Sequence, residues 1–347
     1  MMKKIMFALA LMGALAFTGC AHGEEAVQSD KLNIIFETDI GNDVDDAMAL
    51  DMMYKYLDKD MINVLAVCIN KDGLAPAEFM DIMNTWYGYP DIPVGIIRNG
   101  ADCETDAVNY AKAVVNLKKE DGTPMFARSH GDYDKLPDAH VLYRKILSEM
   151  PDNSVTIVSV GFSTNLARLM DTPADEYSPL TGKELVAKKV KELITMAGHT
   201  TNVDFHEYNV FKDPPAAKKV FEEWPTKVVT SPFEVGVSIC YPGASIENDF
   251  GWAVNGHPMV EAYKAYLPMP YDRPTWDLTS LLYAVEGDSF FTMHGPFKME
   301  VTEKGGTIFT PDQNGNRYYM MVDQAQADAV NKHFQGILPS KPAKYNN

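Results

Sequence analysis

The sequence predicts an α/β protein: a mainly parallel central sheet flanked by helices, with a small antiparallel extension. Three observations carry this expectation. Short apolar runs without alternation recur at Ile34-Ile35-Phe36, from Val64 to Ile69 and from Val155 to Val160, the pattern of strands buried on both faces. Segments of helical period separate them, as in βαβ units. Toward the C-terminus the strand signals become closely spaced, as in hairpins.

Taken in order, residues 33–38 read as the first strand, followed by an acidic turn. A helix over 45–57 comes next, with Ala47, Leu50, Met53 and Tyr54 at helical spacing. Residues 64–69 and 93–97 read as strands on either side of a helix over 76–87. Helices over 107–117 and 138–150 lead to a strand over 155–160 and a short helix over 163–170. Strands over 193–197 and 227–230 enclose a helix near 215–224, and 277–285 is helical. Strands over 297–302, 306–310 and 318–321 precede a last helix over 324–335. No repeat or long linker divides the chain, so residues 33–340 form a single domain and 341–347 a tail.

The 347 residues hold 31 Lys and Arg against 48 Asp and Glu, a net charge of −17. With 46% hydrophobic residues the composition is that of a folded protein, which excludes disorder, collagen-like repeats and a disulfide scaffold. No basic stripe exists to neutralise phosphates, which argues against nucleic acid as a partner. The acidity suits a hard cation if carboxylates converge. Self-association is left open by the sequence.

Residues 1–20 read as a signal peptide: Lys3 and Lys4, an uncharged apolar run over 5–17, then Thr18-Gly19-Cys20. The ending resembles a bacterial lipoprotein signal, with Phe17 where Leu is usual. That resemblance implies export and acylation of Cys20, an anchor that needs no spanning helix. Residues 21–32 would then be a tether, and the protein would sit on the periplasmic or cell-surface side of a membrane. Cys68 and Cys240, each inside an apolar run, read as buried thiols; no CxxC pair exists for a thiolate zinc site.

The densest chemical signal is Glu37-Thr38-Asp39-Ile40-Gly41-Asn42-Asp43-Val44-Asp45-Asp46-Ala47, placed where a buried strand ends and a helix begins. Carboxylates so close repel unless a cation holds them, and strand C-termini are where open α/β sheets bind ligands. A charged helix start accounts for Asp45 and Asp46 but not for Asp39, which precedes the turn. Nor is this an EF-hand: Gly41 takes the third ligand position and no Glu follows at the twelfth.

The run resembles the N-terminal signature of the inosine–uridine-preferring nucleoside hydrolases, whose first strand ends in an Asp-x-Asp-x-Gly turn followed by Asp-Asp-Ala. Further blocks follow in the family's order. Gly161-Phe162-Ser163-Thr164-Asn165-Leu166-Ala167 resembles its Gly-x-x-Thr-Asn-Leu-Ala block. Met196-Ala197-Gly198, Asn202-Val203 and Glu207-Tyr208-Asn209 through Asp213-Pro214 resemble its Gly-Asn…Glu-Phe-Asn…Asp-Pro block. Arg273-Pro274-Thr275-Trp276-Asp277 falls where the family brings in its last carboxylate. Three features depart from the pattern: Glu37 replaces the first Asp, the acidic turn is about two residues longer, and Trp276 stands where the best-known members have His.

The resemblance implies a Rossmann-related fold and Ca²⁺-dependent hydrolysis of the N-glycosidic bond of ribonucleosides. Carried over, Asp39, Asp46 and Asp277 would be side-chain ligands of Ca²⁺ and Val160 would offer its carbonyl. Asp39 would also be the catalytic base, and Asp45 would support the metal or the ribose. Glu207 and Asn209 would hold ribose hydroxyls and Asn202 the 5′-hydroxyl. On the residues themselves, Trp276 beside Asp277 could stack on the base, and His130 or His206, in candidate loops, could touch it. The role of Asp43, inside the longer turn, is open. On residues alone Asp277 reads as the N-cap of an apolar helix, Glu207 and Asn209 as solvated, and the histidines as structural. Two rivals stand beside hydrolysis of common nucleosides: a lipoprotein that binds nucleosides without cleaving them, and a hydrolase of an unusual riboside such as nicotinamide riboside.

Overall fold

Ile34, Ile35 and Phe36, like Ile157 and Val158, are fully buried. Strands with no wet face belong in the middle of a sheet covered on both sides. The computed structural model, which describes residues 31–41, 43–101 and 109–346, places them there. The signal segment, Cys20, most of the tether, Asn42, Cys103 and Asn347 lie outside the described residues.

The chain begins with β1 (Leu32–Thr38), α1 (Asp45–Asp58), β2 (Ile62–Ile69), α2 (Leu74–Tyr87) and β3 (Val94–Gly95). Two helices, α3 (Tyr110–Val115) and α4 (Ala139–Glu149), lead into β4 (Val155–Ser159) and α5 (Thr164–Asp171). Next come α6 (Gly182–Lys189), β5 (Val190–Met196), α7 (Tyr208–Lys212), α8 (Pro214–Glu223) and β6 (Lys227–Ser231). Short pieces follow: α9 (Phe233–Val237), β7 (Cys240–Tyr241), α10 (Gly243–Asn248), α11 (Pro258–Tyr266) and β8 (Arg273–Pro274). The chain ends with α12 (Trp276–Glu286), β9 (Thr292–Val301), β10 (Thr307–Pro311), β11 (Arg317–Met321) and α13 (Gln324–Ile337).

Among the described residues nine strands form one sheet in the order β10-β9-β11-β6-β5-β4-β1-β2-β3. Six of them, from β6 to β3 in that order, are parallel, and β11 adds to β6 in the same sense. The antiparallel extension is β9, paired with both β10 and β11. Residues of β1 alternate between two apolar layers: Ile34 and Phe36 join α1, α2 and α12 on one face, and Ile35 joins α4, α5 and α8 on the other. Among the described residues no helix is long and apolar enough to cross a membrane.

From β1 the order runs one way through β2 to β3 and the other way through β4 to β6. Connections that diverge in this way leave a crevice at the C-terminal ends of the two central strands. Glu37 pairs with Ser159 there, and the Val160 N–H donates to the Glu37 carbonyl at 2.8 Å. Asp39 and Val160 therefore leave the sheet side by side.

One helix was not expected, and two expectations need correction. Residues 182–189 form α6, held by a capping box between Thr181 and Glu184. Cys240 is exposed rather than buried, because the apolar run around it ends α9 and forms the two-residue strand β7, which pairs with β8 outside the central sheet. Thr275, not Asp277, occupies the N-cap of α12, and Asp277 is its second residue.

Candidate active site

After Asp39 the chain turns through Gly41, whose φ of 137° favours glycine, and enters α1 at Asp45. Among the described residues no side chain caps that helix, and its positive end faces the acids of its own first turn, Asp45 and Asp46. Thr38 ties the turn together: its hydroxyl donates to Asp46 Oδ1 and accepts the Ile40 N–H at 3.1 Å. From the far side of the chain, the Asp277 N–H donates to Asp45 Oδ2 at 3.1 Å.

Asp39, Asp45, Asp46 and Asp277 are all buried. Burial, and then the charge of Asp46, holds the Asp39 carboxyl well above the usual carboxylate range. Asp45 is raised by burial and Asp43, and Asp277 by burial followed by Asp45 and Asp46. Burial pushes Asp46 up to about 7, against the pull of its Thr38 hydrogen bond. The buried Lys71 opposes the rise at Asp39 and Asp46 through its charge.

A second side comes from the segment after β5. Glu207 caps α7, accepting from the N–H groups of Gly198 at 3.0 Å, Asn209 at 2.9 Å and Val210 at 3.2 Å. Burial pushes its carboxyl up to about 7 despite those bonds. Asn209 donates its side-chain NH₂ to the Val160 carbonyl at 3.0 Å and the Met196 carbonyl at 3.2 Å. With the donors occupied, what Asn209 can offer a ligand is its amide oxygen. The Val160 carbonyl, with one lone pair used, keeps the other.

These groups line one cavity of about 360 Å³ with Asp43, His206 and the rings of Phe205, Tyr208, Phe233, Tyr266 and Trp276. Acids form one side and aromatic rings the other. The Trp276 N–H donates to the Phe233 carbonyl at 2.9 Å, so the indole presents carbon rather than a proton.

Two sequence candidates fall elsewhere. His130 lies on a different depression; its N–H and the Ser129 N–H and hydroxyl all serve the Asp81 carboxylate. Asn202 is exposed outside the cavity wall, its side-chain oxygen closing a turn with the Asp204 N–H at 3.1 Å. His206 is the histidine that reaches the cavity. Asp43, left without a role by the sequence, pairs with Arg273. Behind Asp39, the Asn70 amide donates to the Phe162 carbonyl at 2.9 Å, and Asn165 donates to the Ile69 carbonyl at 3.0 Å. Sequence reasoning also passed over Phe205, Phe233 and Tyr266, which carry no motif.

The donor set fits a hard divalent cation: carboxylates and one carbonyl without sulfur or imidazole, crowded enough to repel, with Asp46 Oδ2 buried and lacking a hydrogen-bond partner. Among the described residues these acids are not drawn into a ligand cluster, since Asp45 and Asp46 are each turned to a protein donor.

The sequence profile of the family described as inosine-uridine preferring nucleoside hydrolase matches residues 34–333, so the chain belongs to that family. No curated protein sequence matches it. Among solved structures it is similar to a plant nucleoside hydrolase, at 19% identity and a TM-score of 0.66, covering 88% of this chain and 98% of that one. A purine-preferring ribonucleoside hydrolase from Gardnerella vaginalis aligns at 14% identity and a TM-score of 0.63, over 88% and 99%. The inosine-uridine preferring nucleoside hydrolase from Bacillus anthracis gives 15% and 0.62, over 88% and 100%. At these identities the likeness is one of fold.

Two predictions follow from the crowding. Asp46 and Glu207 titrate near 7 in the folded chain and near 4 when unfolded. Between those values the folded state holds protons that the unfolded state has released, so metal-free protein should lose stability as pH rises through that window. Asp46→Asn should flatten this slope and raise the metal-free melting temperature at pH 8 by about 2–6 °C. An unchanged slope in thermal melts would refute the reading. Separately, a Cβ on Gly161 would fall 2.5 Å from Asn70 Oδ1, 2.6 Å from Asp39 N and 2.7 Å from Asp39 Oδ1. Gly161→Ala should cost about 1–3 kcal/mol and displace Asp39; denaturant melts unchanged from the parent would contradict this.

Proposed function

We propose that this member of the nucleoside hydrolase family cleaves the N-glycosidic bond of ribonucleosides to ribose and free base, using calcium. The observation that carries the reading is one cavity in which buried acids face a wall of aromatic rings. Asp39, Asp46, Asp277 and the Val160 carbonyl would hold the cation, supported by Asp45. When bound, the cation supplies an acidified water, a hold on two ribose hydroxyls and an offset to the carboxylate repulsion.

The chain's own groups account for the rest. Asp39 accepts a proton from the attacking water as the water oxygen bonds to C1′. The C1′–N bond breaks and its electron pair leaves with the base, through an oxocarbenium-like transition state. Glu207 and the Asn209 amide oxygen orient the ribose hydroxyls. The face of Trp276 stacks on the base, but its N–H is committed to Phe233, so it is no proton donor. His206, which lines the cavity whereas His130 lies on a different depression, would protonate the departing base.

Asp39→Asn keeps the size while removing the base, and should lower kcat by about 10² to 10⁴. Chelation should abolish turnover and re-addition of calcium restore it. Ribose released in excess of enzyme distinguishes catalysis from nucleoside capture. Parent-like turnover by Asp39→Asn, or full activity after exhaustive chelation, would contradict the assignment. A panel of ribosides, nicotinamide riboside included, settles the preferred base.

The proposal extends to location. Lys3, Lys4, the apolar run and Cys20 support export and lipid anchoring. Cys20→Ser should move the protein from the membrane fraction to the soluble exported fraction; unchanged membrane association would refute the anchor.

A further inference from the structure

The Arg273 side chain is 13% exposed and ion-paired with Asp43. Its guanidinium carbon lies 4.8 Å from the centroid of the Tyr266 ring and 5.2 Å from that of Trp276. Asp43, Tyr266 and Trp276 all line the cavity, whereas Arg273 does not. One planar cation thus stands behind three wall residues drawn from the acidic turn, the end of α11 and the start of α12. Backbone packing fixes Trp276 from another side: a Cβ on Gly236 would fall 2.4 Å from its Cα and 2.2 Å from its Cδ1.

We propose that Arg273 is the positioning residue of the aglycone wall: it sets the planes of Trp276 and Tyr266 and draws one oxygen of Asp43 away from the acids available to a cation. The inference rests on the proposed function for calling the aromatic side an aglycone site. The chemistry favours arginine. A guanidinium can contact aromatic rings with its plane while its N–H edge holds a carboxylate, and a lysine ammonium cannot do both in one geometry. Desolvated cation–π contacts are also stronger than exposed ones, and this pair is largely shielded from water. One Asp43 oxygen is thereby held by Arg273, while Oδ1 is buried and lacks a hydrogen-bond partner among the described residues. Of the five acids on the cavity's metal side, Asp43 is the one held by an arginine, so the residue added by the longer turn gives one of its oxygens to the wall.

The test compares the parent with Arg273→Gln and Arg273→Lys, binding adenine, uracil and nicotinamide, and separately ribose and calcium, by calorimetry. Arg273→Gln should weaken the bases at least tenfold and leave ribose within about twofold. Calcium affinity should stay equal or become tighter, because freed Asp43 adds negative charge near the site. Arg273→Lys should fall between parent and Gln for the bases, and it carries the test if the Gln variant does not fold. On any riboside that is turned over, the loss should appear in KM, with kcat changed less than about threefold. Asp43→Asn should weaken calcium less than threefold.

Equal loss of base and ribose binding would reduce Arg273 to a structural residue and overturn the proposal. So would base binding unchanged from the parent, full rescue by lysine, or a large loss of calcium in Asp43→Asn. A parent that binds none of the three bases overturns the wall assignment. A parent that binds bases but releases no ribose refutes the proposed hydrolysis and leaves the wall intact.

Discussion

Four buried aspartates in one cavity set the terms for everything around them. Burial and mutual repulsion both act against their ionisation, so the neighbouring structure is largely a set of offsets. The free end of α1 faces Asp45 and Asp46, the Thr38 hydroxyl serves Asp46, and the Asp277 N–H serves Asp45. Lys71 adds a buried positive charge. These offsets are partial, and a divalent cation is what the remaining imbalance calls for. Groups held this way are costly to stability and useful to chemistry, the usual bargain at a functional site.

The cavity is two-sided because the sheet makes it so. The reversal of strand order at β1 and β4 places Asp39 and Val160 at the same crevice. The later half of the chain then closes it: α7 brings Glu207 and Asn209, while α9, α11 and α12 bring Phe233, Tyr266 and Trp276. The Asp277-to-Asp45 hydrogen bond spans 232 residues of sequence, so the site exists only once the whole domain has formed. In the proposed function ribose chemistry takes the acidic side and aglycone recognition the aromatic side, and the pair of Asp43 with Arg273 stands between the two.

Much of this was legible in the sequence, for physical reasons that can be named. Strands buried on both faces lose alternation, so β1, β2 and β4 stood out. Five acids at a strand end are too costly to be ornamental. Helix α6 carried a readable signal, the Thr181-x-x-Glu184 capping box, that was passed over. Other features have no local signal. Helices of five or six residues such as α7 and α9 are too short for a period to emerge. His130 looked free because nothing in its neighbourhood reveals that Asp81, on α2, claims its loop. Arg273 lies inside a quoted motif, yet its role depends on Asp43, 230 residues earlier, and on the ring of Tyr266.

The central claim is that these carboxyls are raised by burial and repulsion and give up protons when a cation arrives. Calorimetric titration of chelator-stripped protein with calcium at pH 6.5, in two buffers of different ionisation enthalpy, measures that exchange directly. Protons should be released as calcium binds, and fewer per calcium at higher pH as the carboxyls ionise without help. Saturable calcium binding with no proton release at pH 6.5, or no calcium binding at all, would contradict the account.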